Sequence, residues 1–326
     1  MSTRTYTRIT LILVAIIIPT LSYAHVRWFA EEKTILPAYN ITDIPVLMGI
    51  IGAVIVVLIG IYLDKKLHVP TLISKHIEAW APKALSIASI GFGLSFIIFA
   101  LSGFIFAPNL PASGELGIYM LGIELIAGIM IFLGLYERIG GLLIVVLFLC
   151  GCNIYGTYEM LDTLEMLGFA LYALIVGRPV WKITDTHLFQ YPAHTLHSYG
   201  LPVLRIFTGL NLVILGFTEK ILTPSLTADF LTKYDWNFMH KLGFEGFTNY
   251  WFGFSAGLGE MLFGVFFILG LITRTTTLVL AVFLITTLIL LGPVELIGHL
   301  PHFSIAIVFL VLGAGSRFTL YKKHSM

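Results

Sequence analysis

The sequence predicts an all-α polytopic membrane protein, with two tandem parallel four-helix bundles preceded by one or two N-terminal helices. Three observations carry this. Of 326 residues, 58% are hydrophobic and only 11% are charged, with a mean hydropathy of +0.94. A soluble domain carries about 25% charged residues, so water cannot be the main solvent here and lipid must be. Apolar stretches of bilayer-crossing length recur along the chain, and a set of glycines and charged residues recurs with them at fixed spacing.

The N-terminus has two readings. Arg4 and Arg8 precede an apolar run that ends at Ser22-Tyr23-Ala24. Residues 1–24 therefore read as a secretory signal peptide cleaved after Ala24, or as a short first transmembrane helix. Residues 25–83 hold an outer segment, one transmembrane helix and a cytoplasmic loop. Apolar spans are expected near 45–63, 84–106, 116–135, 139–156, 161–177, 202–222, 251–272, 275–292 and 299–314. With an uncleaved N-terminus in the cytoplasm, 14 of the 19 Lys and Arg residues fall inside and 5 outside. That bias follows the positive-inside rule and sets the expected orientation in the plasma (inner) membrane. The C-terminus is then cytoplasmic, and the N-terminus is cytoplasmic if uncleaved or periplasmic if cleaved.

The repeat pairs 84–178 with 201–317, joined by a linker at 179–200 and followed by a tail at 318–326. Glu124, Gly128, Leu133, Gly134, Leu135 and Arg138 match Glu260, Gly264, Leu269, Gly270, Leu271 and Arg274 at an offset of 136. Ile90, Gly93, Leu94, Pro108, Leu110 and Ala112 match Ile206, Gly209, Leu210, Pro224, Leu226 and Ala228 at an offset of 116. The difference places an insertion of 20 residues in the first outer loop of the second copy, roughly 229–249. Its aromatic residues, with Trp236 within it and Trp251 just beyond, read as an interfacial belt or as a lid over a pocket.

Ionisable groups at membrane depth are costly and need a partner or a wet cavity. Glu260 and its counterpart Glu124 fall near the bilayer midplane and read as proton-handling carboxylates or as structural carboxyls. Glu219 and Lys220 end the first helix of the second copy. Glu295, His299 and His302 share one face if helical, and imidazoles beside a carboxylate suit zinc, copper or iron, or a proton relay. Cleavage after Ala24 would expose the amine and imidazole of His25 together, a chelating pair suited to copper. Arg138 and Arg274 read as headgroup anchors at helix ends. Glu159, Asp162 and Glu165 read as favourable charge at a helix start. Cys150 and Cys152 lack the spacing of a redox pair and read as packing residues. A net charge of +1 points to no nucleic acid. No phosphate-binding glycine loop or nucleophile elbow occurs.

The second copy, about 200–317, resembles the DoxX-like family of four-helix membrane proteins, including DoxD-type relatives. The resemblance lies in Arg205-x-x-x-Gly209, Gly216 followed by Lys220, Glu260-x-x-x-Gly264, and Leu269-Gly270-Leu271 with Arg274. The first copy is a degenerate version, with Ser89 at the position of Arg205 and Phe104 at that of Lys220. The resemblance implies redox work at membranes, such as thiosulfate oxidation coupled to quinone or partnership in an oxidative-stress complex. The expected function is a redox-associated subunit, an oxidoreductase component, acting in the second bundle on a quinone or a redox partner protein. Glu260, Lys220, Arg205 and Glu219 would carry the chemistry, with Glu124, Trp236 and Trp251 near the bound group. Two other readings stand. One is an outward-facing metal-binding or transport protein using copper or another transition metal at His299, His302, Glu295 and His25. The other is a non-catalytic scaffold for a partner enzyme.

Overall fold

The structure is a computed structural model that describes residues 33–66, 71–184, 193–292, 296 and 298–321, with the backbone alone at 71–78 and 193–197. The N-terminal segment 1–24, His25 and Glu295 lie outside the described residues.

The helices are α1 (Ile44–Lys66), α2 (Thr71–Leu101), α3 (Gly114–Leu133), α4 (Glu137–Ile154), α5 (Thr157–Leu161) and α6 (Leu164–Ile175). There follow α7 (Ala193–Leu215), which runs on as a π-helix (Gly216–Leu222), then α8 (Pro224–Tyr234), α9 (Phe238–Lys241), α10 (Asn249–Leu269), α11 (Thr273–Leu291) and α12 (Leu300–Leu312). Each expected apolar span is a helix. Among the described residues, seven helices are long and apolar enough to cross a membrane. Helices α6 and α12 are shorter, at 12 and 13 residues. At the helical rise they reach only about 20 Å, short of the roughly 30 Å of a hydrocarbon core.

Glycine explains two of the repeated motifs. Gly134 and Gly270 close α3 and α10 in the left-handed conformation, with φ of 63° and 68°. A side chain is strained there, and glycine is not. Gly93 and Gly128 let α2 and α3 touch: a Cβ on Gly93 would lie 2.9 Å from the Gly128 carbonyl oxygen. Gly209 and Gly264 do the same for α7 and α10, where the corresponding distance is 2.6 Å. Small residues at such crossings are the usual means of close helix packing in lipid.

The two sets of four helices do not each close on themselves. Helix α2 packs on α3 and α12, while α6 packs on α4 and α7; α2 and α6 barely meet. With the α3–α4, α7–α10, α10–α11 and α11–α12 contacts, the eight helices form one ring. The last helix of each half packs on the first helix of the other. This differs from two self-contained bundles, and the reason lies in α6 and α12. Both are short and largely apolar, so enclosure between the halves suits them better than exposure to lipid. Gly91 admits Ser304 of α12, and Gly168 admits Phe207 of α7. Phe92 of α2 and Phe169 of α6 stack at 4.0 Å and 5° in the centre.

The halves differ in how they are filled. Phe96, Phe99, Phe106 and Phe148 are buried in the first half. At the repeat offsets their counterparts are Leu212, Leu215, Leu222 and Leu284, and Leu222 is turned outward.

Outside the ring, α1 lies on α10, with Phe254 against Gly49 and Phe266 against Gly60. The segment preceding α1 is strapped over α8. The backbone N–H groups of Lys33 and Thr34 donate to Asp229 at 2.7 and 2.9 Å, and that of Leu36 donates to the Ser225 hydroxyl at 3.0 Å. The Tyr39 hydroxyl donates to the Tyr250 carbonyl at 2.6 Å. Partial burial alone would raise the Asp229 pKa. The hydrogen bonds from Thr34 and Lys33, with the Lys33 charge, outweigh that and hold it below the ordinary 3.8.

Gly209→Val or Gly264→Val should destabilise the protein by about 1–3 kcal/mol through overpacking. Gly122→Ala, where a Cβ meets nothing within 4 Å, should not. Thermal unfolding in detergent measures both. Because the docked Asp229 carboxyl has a depressed pKa, the strap is at full strength at neutral pH. It weakens below the unfolded value and is lost as pH falls through the lower docked value. Hydrogen exchange at residues 33–36 should therefore quicken on acidification, and Asp229→Asn should show fast exchange at every pH.

Candidate functional site

The π-helix at the end of α7 positions Lys220 against Glu260. Widened turns of this kind are rare and recur at functional sites. Here the turn is Gly-Phe-Thr-Glu-Lys-Ile-Leu, stitched by Thr218, which donates to the Ile214 carbonyl, and by Thr223, which donates to that of Thr218. Gly257 of α10 leaves room for the Lys220 stem, since a Cβ there would lie 2.9 Å from the Lys220 Cβ. The Lys220 ammonium then reaches Glu260 at 2.5 Å. The two side chains are 15% and 21% exposed, so the pair is reachable rather than sealed. Glu219 is buried next to it, and its backbone carbonyl accepts from Thr227 of α8 at 3.2 Å. Glu260, Lys220 and Glu219 thus come together. The polar triplet at the end of an apolar run was legible in the sequence; the π turn was not.

In the first half the same position is closed. Glu124 is fully buried, and its Oε1 accepts from the backbone N–H of Phe106 at 3.1 Å. Phe106 itself sits 5.8 Å from Phe96 and 6.3 Å from Phe148, ring to ring. Helix α2 ends at Leu101, where the second half continues into its π turn. Glu124 does not join the Lys220–Glu260 site.

Arg205 lies in the middle of α7, 15 residues from Lys220, or about 22 Å along the helix. Its guanidinium donates to the carbonyls of Phe267, Ile268 (2.9 Å), Ala314 (3.1 Å) and Phe318 (2.7 Å). It ties the end of α10 to the chain that leaves α12. The first half has Ser89 at this position yet keeps a guanidinium in the equivalent place. Ser89 donates to Glu137 at 2.6 Å, Glu137 lies 3.5 Å from Arg178, and Arg178 donates to the carbonyls of Ile131 and Phe132. At the repeat offset those two residues are Phe267 and Ile268. Arg178 does for the first half what Arg205 does for the second, from a different helix end.

Arg138 and Arg274 also differ from the expected headgroup anchors. They lie in the first turns of α4 and α11. Arg138 donates to the Val176 carbonyl at 3.3 Å, and Arg274 to those of Leu310 and Val311 at 3.0 and 2.9 Å. Carbonyls at the end of a helix lack intrahelical partners, and these guanidinium groups supply them.

His302 reaches across to the first half. Its Nε2 is 3.1 Å from Oε2 of Glu165, on α6 of the first half, and both side chains are buried. Glu165 sits in the first turn of α6, as expected, with its side chain buried. His299, at the cap of α12, has its ring 5.3 Å from that of His302. Among the described residues, no three His, Cys, Asp or Glu side chains are grouped to hold a metal ion. Cys150 and Cys152 are free thiols.

Trp236 packs edge-on against Phe230 in the cap formed by α8 and the following loop, while Phe238 and Phe244 of that loop are exposed. Trp251 lines a cleft of about 530 Å³ between α1 and α10, with Pro45, Gly49, Phe254 and Leu258. Glu260 projects from the other side of α10, so the cleft and the ion pair are separate features.

The arrangement defines an all-α integral membrane protein whose second half carries a reachable Lys–Glu pair. A family model described as DoxX matches residues 200–293, which include Arg205, Lys220 and Glu260 and stop short of His299 and His302. Over these residues the chain is similar to DoxX membrane proteins. No curated protein and no solved structure matches it.

Arg205→Ala and Arg178→Ala should each lower stability by at least about 2 kcal/mol, because several buried carbonyls lose their donor. Lysine at either position should rescue little, having no planar fork to span two helix ends. Denaturation midpoints of the purified variants test this.

Proposed function

We propose that this chain is a redox-associated membrane subunit that receives the polar head of a quinone at Lys220 and Glu260. The observation that carries this reading is the contrast between the halves. The Lys220 and Glu260 side chains are partly exposed, at 15% and 21%, whereas Glu124 is fully buried. A quinone head offers oxygens that accept hydrogen bonds when oxidised and donate them when reduced, and it supplies the electron chemistry when bound. Lys220 donates to such an oxygen, and Glu260 takes or returns the proton. The DoxX match favours the redox class, since the family resemblance implies such work. The Lys and Arg bias favours a plasma (inner) membrane setting with the Lys220 end facing outward.

Binding of a short-chain quinone to the protein in nanodiscs, followed by intrinsic tryptophan fluorescence, tests the reading. Glu260→Gln and Lys220→Met should each weaken binding about tenfold or more, as expected for loss of one charge-assisted hydrogen bond. Glu124→Gln should leave it unchanged. Equal affinity in all four proteins would exclude this site.

A further inference from the structure

The seam between the halves holds a second set of buried polar groups, and the Lys220–Glu260 site uses none of them. Glu165 and His302 face each other across it at 3.1 Å. His299, only half-buried, connects His302 to the surface. Asn211 of α7 is fully buried, and neither its amide nitrogen nor its oxygen has a hydrogen-bond partner in the protein. The register of α6 on α7 places it. Gly168 meets Phe207, and Tyr172 meets Gly200, so the helices run antiparallel. One turn beyond Phe207, Asn211 lies level with Leu164 and Glu165. A buried amide with four empty hydrogen-bonding positions is satisfied in proteins by internal water. Ser95 of α2 lies at the counterpart of Asn211 and bonds its own helix, at the Gly91 carbonyl.

Further along the same face of α6 comes Tyr172, two turns from Glu165. Its hydroxyl is buried without a partner, and it lies within electrostatic reach of Glu137. Glu137 in turn contacts Ser89 and Arg178 near the opposite end of the ring. Between Glu165 and Tyr172 stands the Phe92–Phe169 stack, which offers no polar atom.

Packing does not demand these groups. At the repeat offsets, Met166 corresponds to His302, and Pro301 corresponds to Glu165. A buried polar pair contributes little to stability over apolar residues of similar size, and ionisable groups in a membrane interior mark proton or ion routes. We propose that the seam is a proton path, interrupted at rest by the Phe92–Phe169 stack. His302, neutral with its proton on Nε2, takes a proton at Nδ1 from the His299 side. It passes the Nε2 proton to the Glu165 carboxylate and is left neutral in the other tautomer. Water held by Asn211 keeps the pair hydrated. Tyr172 and Glu137 continue the route beyond the stack.

Proteoliposomes loaded with a pH-sensitive dye, and driven by a potassium diffusion potential, test this without any quinone. Failure here leaves the Lys220–Glu260 reading untouched. The native protein should be proton-tight. Phe169→Ala should admit protons, with Phe169→Leu as the milder variant if the first does not reconstitute. Adding Glu165→Gln should abolish the flux, and Tyr172→Phe should reduce it. A tight Phe169 variant would overturn the proposal. So would a leak that persists with Glu165→Gln, or one that passes sodium as readily as protons.

Discussion

The fold depends on enclosing two helices that are too short to face lipid along a full bilayer crossing. Helices α6 and α12 span only part of that thickness, and water would have to satisfy whatever backbone they left exposed. Packing each against the first helix of the opposite half solves this for both at once. The exchange turns two runs of four helices into one ring. It also creates a seam, and the seam brings together residues that neither half holds alone. The Glu165–His302 contact and the Phe92–Phe169 stack exist because of it, the first across the halves and the second at its centre.

Within that shared scaffold the halves have been filled for different ends. Both need a guanidinium at the end of their second helix, where the last carbonyls lack donors. One half supplies it as Arg205, the other as Arg178 held by Glu137 and Ser89. The stabilising group is kept while its place in the sequence moves. The opposite ends have diverged in substance. Glu124 is fully buried and bound to the Phe106 backbone. In the second half the helix continues into a π turn, and Lys220 meets Glu260 with both side chains partly exposed. The scaffold is common to both, and a reachable polar site belongs to one.

Much of this was legible in the sequence. Hydropathy located every helix of the ring, because lipid rewards an unbroken apolar run of helical length. The paired glycines marked the helix crossings and caps, since only glycine permits such approach or such dihedrals. The charged residues at the end of α7 and in α10 flagged the candidate site, because charge at membrane depth is too costly to be idle. Arg205, in contrast, reads as part of that site in the sequence and lies about four turns away along α7 in the structure. Trp236 and Trp251 read as its lining and belong to other surfaces.

By itself, then, the sequence determined the solvent, the helices, their crossings and the charges that matter. Each of these is written in local composition or in a short spacing. Only the tertiary structure decided which charges meet. His302 meets a carboxyl group on the other half, Arg178 stands in for an arginine missing from its own first helix, and Lys220 finds Glu260 through a turn that widens the helix. Those partners are set by how helices distant in the chain lie against one another. No local pattern records that choice.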